Sequence, residues 1–287
     1  MMPKHSSVVL VSGASSGIGR ATVEYLASHG FHVFAGARDR RALEELSRIP
    51  NTTALRLDVT RPEEIRAARK MIEDKGMGLF GLVNNAGIVE VGPLMDLESA
   101  SLRAQFEVNF FGIHELTKTF FPLLLQSQGR VVMISSDSGF FATPFAGPYC
   151  ASKFALEGYS DSLRREITHH GVKVILIEPG PVATAIWGKA EKSIDPDKFP
   201  HSIFIKEAKA LGEYSIAQGQ RDALPPSAVA EAIYWALTSA KPRLRYLVAK
   251  KSWEYRLIKI LPAYFVDRLV RKKIQQTIRI AKKMAAE

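Results

Sequence analysis

The chain has 287 residues, 46% hydrophobic and 24% charged, which suits one large α/β domain and argues against wholesale disorder. Its formal net charge is +10, yet 14 of the 39 basic residues and only three of the 29 acids lie from Lys241 onward. The first 240 residues are therefore nearly neutral, so the body is not that of a polyanion-binding protein and the basicity belongs to a C-terminal tail.

In chain order, Met1 to Ser7 carry a single lysine, and the apolar run Val8 to Val11 behind them is too short for a signal-peptide core. Strands are expected at Val8 to Val11, Phe31 to Phe34, Thr53 to Leu57, Gly81 to Val83, Arg130 to Ile134, Val172 to Ile177 and, more weakly, Leu244 to Val248. Helical periodicity fills Ala21 to His29, Pro62 to Glu73, Leu102 to Gln126 and Ala151 to His169. Short apolar strands alternating with helices imply a parallel sheet covered on both faces: a single-domain, doubly wound α/β fold of about seven strands. Such folds bind ligands at the carboxyl ends of their strands.

The stretch VSGASSGIGR joins the first strand to the first helix, with Gly13, Gly17 and Gly19 spaced for a tight turn, close approach to a phosphate and close helix packing. The unpaired N–H groups of the helix start would face a pyrophosphate. At the end of the second strand a dinucleotide without a 2′-phosphate needs a carboxylate, but this chain has Ala37 followed by Arg38. A guanidinium can fork onto a 2′-phosphate, so NADP(H) is expected; Asp39, next in line, keeps NAD(H) open.

Further polar groups lie at strand ends: Asp58 in LDV, NNAG at 84 to 87, and SSDSG at 135 to 139. Tyr149 and Lys153 lie four apart in YCASK, a spacing that puts both on one helix face, where a cation would favour the phenolate and move the phenol toward neutrality. Two other pairs, Tyr246/Lys250 and Tyr255/Lys259, have the same spacing but no such context and read as decoys. The single cysteine, Cys150, excludes an internal disulfide, fits a reducing compartment and reads as buried packing. No metal-ligand pattern is apparent, and no run of about 18 apolar residues would span a membrane.

GASSGIG, Asp58, NNAG, Asn109 in VNFFG, Ser136, YCASK and PGPVAT, taken together and in order over residues 8 to 184, resemble the short-chain dehydrogenase/reductase family. The one departure noted is Ser12 where the family commonly has threonine; the hydroxyl is kept. The resemblance implies a Rossmann-type oxidoreductase in which Tyr149 is the acid/base, Ser136 holds the substrate oxygen, Lys153 binds the nicotinamide ribose and Asn109 positions a relay water. It also implies cofactor contacts from Gly13, Ser15, Ser16, Gly17, Ile18, Gly19, Arg38, Asp58, Val59, Asn85, Ala86, Gly87, Tyr149, Lys153, Pro179, Gly180, Val182 and Thr184. The closest likeness is to the hydroxysteroid and retinol dehydrogenase branch, so the substrate would be a lipophilic alcohol, ketone or aldehyde of steroid, retinoid or acyl type. A homodimer or homotetramer is implied in the same way.

After Gly180 the alternation stops, and residues 184 to 224, weakly patterned, are expected to form a substrate lid within a domain ending near residue 249. Phe140, Phe141, Phe145, Ile186, Trp187 and Phe204 could line an apolar wall or serve the core. Pro225-Pro226-Ser227 starts another helix running to about Leu237. Beyond it, residues 250 to 287 form a basic tail: Val266, Val270, Ile274 and Ile278 make an apolar stripe flanked by Arg268, Arg271, Lys272, Lys273, Arg279, Lys282 and Lys283. That stripe could lie on an anionic membrane or pack on the protein. The localisation expected is cytoplasmic, with peripheral membrane contact through the tail. Nucleic acid is not expected as a partner, because the tail lacks interleaved aromatics. A competing functional reading is a non-catalytic nucleotide-binding scaffold recruited through this tail.

Overall fold

Parallel strands β1 (Val8–Val11), β2 (His32–Ala37), β3 (Thr52–Arg56), β4 (Gly81–Asn84), β5 (Arg130–Ile134), β6 (Lys173–Pro179) and β7 (Arg245–Val248) form one sheet in the order β3-β2-β1-β4-β5-β6-β7. The structure is a computed structural model describing residues 8–193 and 196–284; the reading of Met1 to Ser7 and the side chains of Lys282 and Lys283 lie outside the described residues. The order reverses between β1 and β4, opening a crevice at their carboxyl ends.

The pleat explains why these strands are apolar throughout. Leu10, Phe34, Leu82 and Val131 face one layer, where they meet Leu116, Phe120 and Leu124 of α5 (Gly112–Gln126). Val9, Val11, Val33, Val83 and Val132 face the other, against Val23 and Leu26 of α1 (Gly17–Ser28) and Ile233 and Leu237 of α9 (Pro226–Thr238). Each large aliphatic side chain so buried contributes about 2 kcal/mol. Arg130, at the start of β5, is buried and donates to the carbonyls of Ala236 and Ser239, closing the C-terminal end of α9. The remaining helices of this part are α2 (Arg40–Leu46), α3 (Pro62–Asp74), α4 (Ser99–Phe106) and α6 (Gly147–Glu166).

Two expectations change in structure. The long helix expected from Leu102 to Gln126 is α4 and α5 joined by a π-helical turn, Glu107–Phe111, that carries Asn109. The weakly patterned 184 to 224 segment is largely helical, as α7 (Ile186–Ser193) and α8 (Ile205–Asp222); its polar and apolar positions mix because it covers a cavity rather than a packed sheet. Its two ends meet at a bridge between Val182 and Leu224, with Ala183 N–H to Leu224 O and Leu224 N–H to Pro181 O both at 2.9 Å.

The tail forms α10 (Ser252–Ile260) and α11 (Ala263–Met284). Val266 and Val270 of the apolar stripe line the cavity and Lys273 lies 4.4 Å over the Tyr214 ring of α8, so this face is turned inward. The exposed apolar set is a different one: Trp253, Leu257, Ile260, Tyr264 and Phe265, with Leu269 at the cavity edge. Among the described residues no helix is long and apolar enough to cross a membrane.

Candidate active site

The β1-α1 turn is held open for a ligand. Gly13 has φ +65°, and a Cβ on Gly19 would stand 2.2 Å from Gly13 O, so neither position admits a side chain. The Ser12 hydroxyl donates to Val83 O and accepts from the N–H groups of Asn85 and Ala86 at 3.1 Å, while Asn85 Nδ2 reaches Ser12 O and Gly13 O at 3.0 Å. The serine keeps the work of a hydroxyl at this position and ties the glycine turn to the NNAG segment. Every expected cofactor contact lines a single cavity of about 960 Å³ except Gly19, which is buried under the turn. The exposed start of α1 gives that cavity free N–H groups suited to a pyrophosphate.

At the far edge, Arg38 projects from the end of β2, with its Nη1 3.5 Å from Asp58 Oδ2. Asp39 turns away: its Oδ1 accepts from Ala42 N–H at 3.0 Å as the N-cap of α2. Burial pushes the Asp58 carboxyl up, but hydrogen bonds from Thr60 and the Arg38 charge outweigh it and hold the group below its ordinary value.

Ser136 leaves β5 as the cap of a short 3₁₀ turn, accepting from Ser138 N–H at 3.1 Å and donating to Asp137 Oδ1 at 2.8 Å. α6 starts earlier than its periodicity suggested, at Gly147-Pro148, which places Tyr149 in its first turn and Lys153 one turn on. Tyr149 and Ser136 line the same cavity. Lys153 is buried, donates to Ile134 O at 2.8 Å and lies 5.7 Å from the centre of the Tyr149 ring. Asn109, fully buried, accepts from Ile88 N–H at 2.9 Å and donates to Ile88 O and to Ser152 Oγ; it stands behind the cavity wall, not in it. Ser136, Tyr149 and Lys153 thus meet at the cavity, and Asn109 joins them through the helix that carries both.

The electrostatics differ from the simple cation-phenol expectation. Burial pushes the Tyr149 phenol above its ordinary value; the Asp137 carboxylate adds to this and the Ser136 contact opposes it. The ammonium is committed to Ile134, and burial lowers Lys153 to about 8, with Glu157 acting against the shift. Burial thus favours the neutral form of both groups.

Phe141, Phe145, Ile186 and Trp187 line the cavity as expected, whereas Phe140 and Phe204 do not. Phe140 instead packs edge-on against Tyr255 at 6.4 Å with Lys259 4.0 Å above its ring, and Phe204 sits half exposed at the start of α8. Of the supposed decoy pair, Tyr255 lines the cavity, whereas Lys259 lies outside it and binds Glu178 at 2.7 Å. Leu211, Ile258, Val266 and Leu269 also enter the wall. Leu211 belongs to the expected lid and Val266 to the apolar stripe, but sequence spacing gave no sign that Ile258 and Leu269 reach this wall, because their helices arrive from the far end of the chain.

Residues 7–195 match the family model described as short chain dehydrogenase. The chain is 38% identical over 265 residues to the oxidoreductase YbbO of Escherichia coli K12, covering 91% of this chain and 93% of the relative. It is 36% identical over 283 residues to the NADPH-dependent 3-dehydrocapnine reductase of Ornithobacterium rhinotracheale, covering 93% and 97%. A short-chain dehydrogenase from Streptomyces avermitilis superposes with a TM-score of 0.75 at 28% identity, covering 96% of this chain and 97% of that one. With the glycine turn, the Ser136, Tyr149 and Lys153 cluster and the seven-stranded parallel sheet in place, this chain belongs to the short-chain dehydrogenase family and is an oxidoreductase.

Proposed function

We propose that the protein is an NADP(H)-dependent oxidoreductase that interconverts a lipophilic alcohol and its ketone or aldehyde, with Tyr149 as general acid/base. The observation that carries the reading is the meeting of Ser136, Tyr149 and Lys153 in a chamber whose far walls, Phe141, Phe145, Leu211, Ile258 and Val266, are apolar. The nicotinamide, when bound, supplies or accepts the hydride. Tyr149 gives its proton to the oxygen of the reduced carbonyl, and burial keeps the phenol protonated at neutral pH, so the proton is there to be given. Ser136 hydrogen-bonds the same oxygen, and Lys153, anchored by Ile134, fixes the ribose side of the site. Asn109 holds the Ile88 backbone and Ser152 in register behind them.

The NADP(H) preference is supported by Arg38, exposed at the β2 edge, by Asp39 being spent as a helix cap, and by the coenzyme in the name of the Ornithobacterium relative. The tail reading is supported by the exposed set Trp253, Ile260, Tyr264 and Phe265 beside Arg256, Arg268, Arg271 and Lys272, a pattern suited to an anionic lipid surface next to the chamber. Exposed Phe111 and Phe154, near the Asn109 turn and on α6, suit pairing with a second copy, which light scattering of the wild type and Phe154→Glu measures.

NADPH oxidation against steroid ketones, retinal, long-chain oxo-acyl compounds and aromatic aldehydes tests the central reading. Turnover with one class, lost in Tyr149→Phe while NADPH still binds, is expected. Tyr149→Phe turning over at the wild-type rate would defeat the role given to the phenol.

A further inference from the structure

We propose that Lys273 selects the substrate, and that the substrate is an amphiphile whose alkyl chain carries an anionic end, a carboxylate or a group of like charge. The inference rests on the catalytic reading above and names the substrate class of the same site. Helix α11 turns Val266, Leu269, Val270 and Lys273 into the chamber, at the i, i+3, i+4, i+7 spacing of one helical face. Three of the four are apolar and the last is a cation. At the helical rise this face runs about 10 Å from Val266 to Lys273. Leu211 of α8 and Phe141 and Phe145, beyond β5, line the same chamber. An apolar chain thus has a wall to lie on, and an anion has a partner at the mouth, where Lys273 is exposed.

The other cations of this region have partners. Lys153 donates to Ile134 O, Arg38 lies 3.5 Å from Asp58, Lys251 lies 3.8 Å from Asp222 and Lys259 holds Glu178. Among the described residues no carboxylate forms an ion pair with Lys273. Its ammonium stands instead 4.4 Å over the ring of Tyr214, which lines the same chamber and whose hydroxyl donates to Gln218 at 3.3 Å. A ring face orients an ammonium without neutralising it, so the charge stays available to a ligand. Asp222 does not compete for it, because its carboxylate accepts from Gln218 at 2.6 Å and faces Lys251. Arg271 and Lys272, next in sequence, are exposed but do not line the chamber, which separates them from the role given to Lys273. At an exposed mouth the pair costs little desolvation, so it discriminates by about tenfold rather than by orders of magnitude.

The test uses the full-length chain and two probes of equal length, a long-chain ω-oxo fatty acid and its methyl ester, without lipid and below micelle formation. NADPH oxidation is followed for wild type, Lys273→Met and Lys273→Arg. Wild type is expected to favour the acid over the ester about tenfold in kcat/KM. Lys273→Met keeps an apolar stem over Tyr214 and removes the charge. It is expected to raise KM for the acid about tenfold and to leave the ester within about twofold, while Lys273→Arg keeps the preference. Acid and ester turned over alike by wild type, or falling together in Lys273→Met, would assign Lys273 to packing and overturn the inference. Lys273→Met with both turnovers intact but weaker sedimentation with anionic vesicles would give the lysine to a lipid surface and overturn it too. A wild type that reduces neutral ketones of the panel but neither probe overturns this inference alone. One that binds NADPH and reduces nothing overturns the catalytic reading and this inference with it.

Discussion

Lys259 on α10 holds both carboxylate oxygens of Glu178, at 2.8 and 2.7 Å, where β6 ends and Glu178 is only 1% exposed. Arg245 Nε, 3.2 Å from the same carboxylate, carries the network on to Glu157 and Asp161. A buried carboxylate that loses one of two cations is left undercompensated. Lys259→Met is therefore expected to lower the unfolding free energy by about 2 kcal/mol, less than for a fully orphaned partner because Arg245 stays. Urea unfolding measures it, and an unchanged midpoint with unchanged slope would contradict the role of this pair as the anchor of α10.

The β2 edge makes a cofactor prediction. Arg38 is an exposed cation there, 3.5 Å from Asp58, and Asp39 is held by Ala42. Arg38→Ala is expected to raise the KM for NADPH about 30-fold and to leave that for NADH within about twofold, the loss of a charge-assisted contact to a 2′-phosphate. Equal changes for the two coenzymes would mean that Arg38 serves only the local fold.

Lys153 makes a pH prediction. Its ordinary value is 10.5 and burial brings it to about 8, so between those values the unfolded chain binds a proton that the folded chain does not. The folded-state value is depressed, so the stability tied to this lysine rises with pH across that window, and its deficit below pH 8 is about 3 kcal/mol. Comparing wild type with Lys153→Met by urea unfolding from pH 7.5 to 10 isolates the residue. The difference is expected to shift toward the wild type as pH rises; a constant difference would refute the buried-ammonium account.

The tail gives the fourth. Sedimentation with vesicles of anionic and of neutral phospholipid is expected to show binding to the anionic ones alone, weakened by salt and reduced about tenfold by Phe265→Glu. Equal, salt-insensitive binding to both, or none to either, would remove the lipid surface from the proposed function.

The sheet was legible because parallel strands buried on both faces must be apolar at consecutive positions, as in Val8–Val11 and Arg130–Ile134. The cofactor end was legible because glycine positions such as Gly13 and Gly19 are dictated by backbone contacts within a few residues. The chamber was not. Tyr255 and Lys259 owe their meaning to Phe140 and Glu178, over 80 residues away in sequence, and no local period marks that meeting. The apolar stripe of α11 was seen, but whether a stripe faces lipid or protein depends on what lies opposite, and here α8 does. The choice between wall and core stayed open for Phe140 and Phe204 for the same reason: an aromatic residue near a rim has no sequence mark separating the cavity side from the rear.

The bridge between Val182 and Leu224 bears on how such a protein can change. All of α7 and α8 leaves and re-enters the body through that one neck, and inside it Trp187 donates to Val182 O at 2.8 Å and lies against Gly219. Insertions, deletions or whole replacements between Thr184, which lies against Gly17, and Leu224 need not disturb a sheet strand or the glycine turn. The segment is a cassette, so new substrate preferences can be acquired by exchanging it at a fixed pair of joints while the machinery that handles the coenzyme is inherited unchanged.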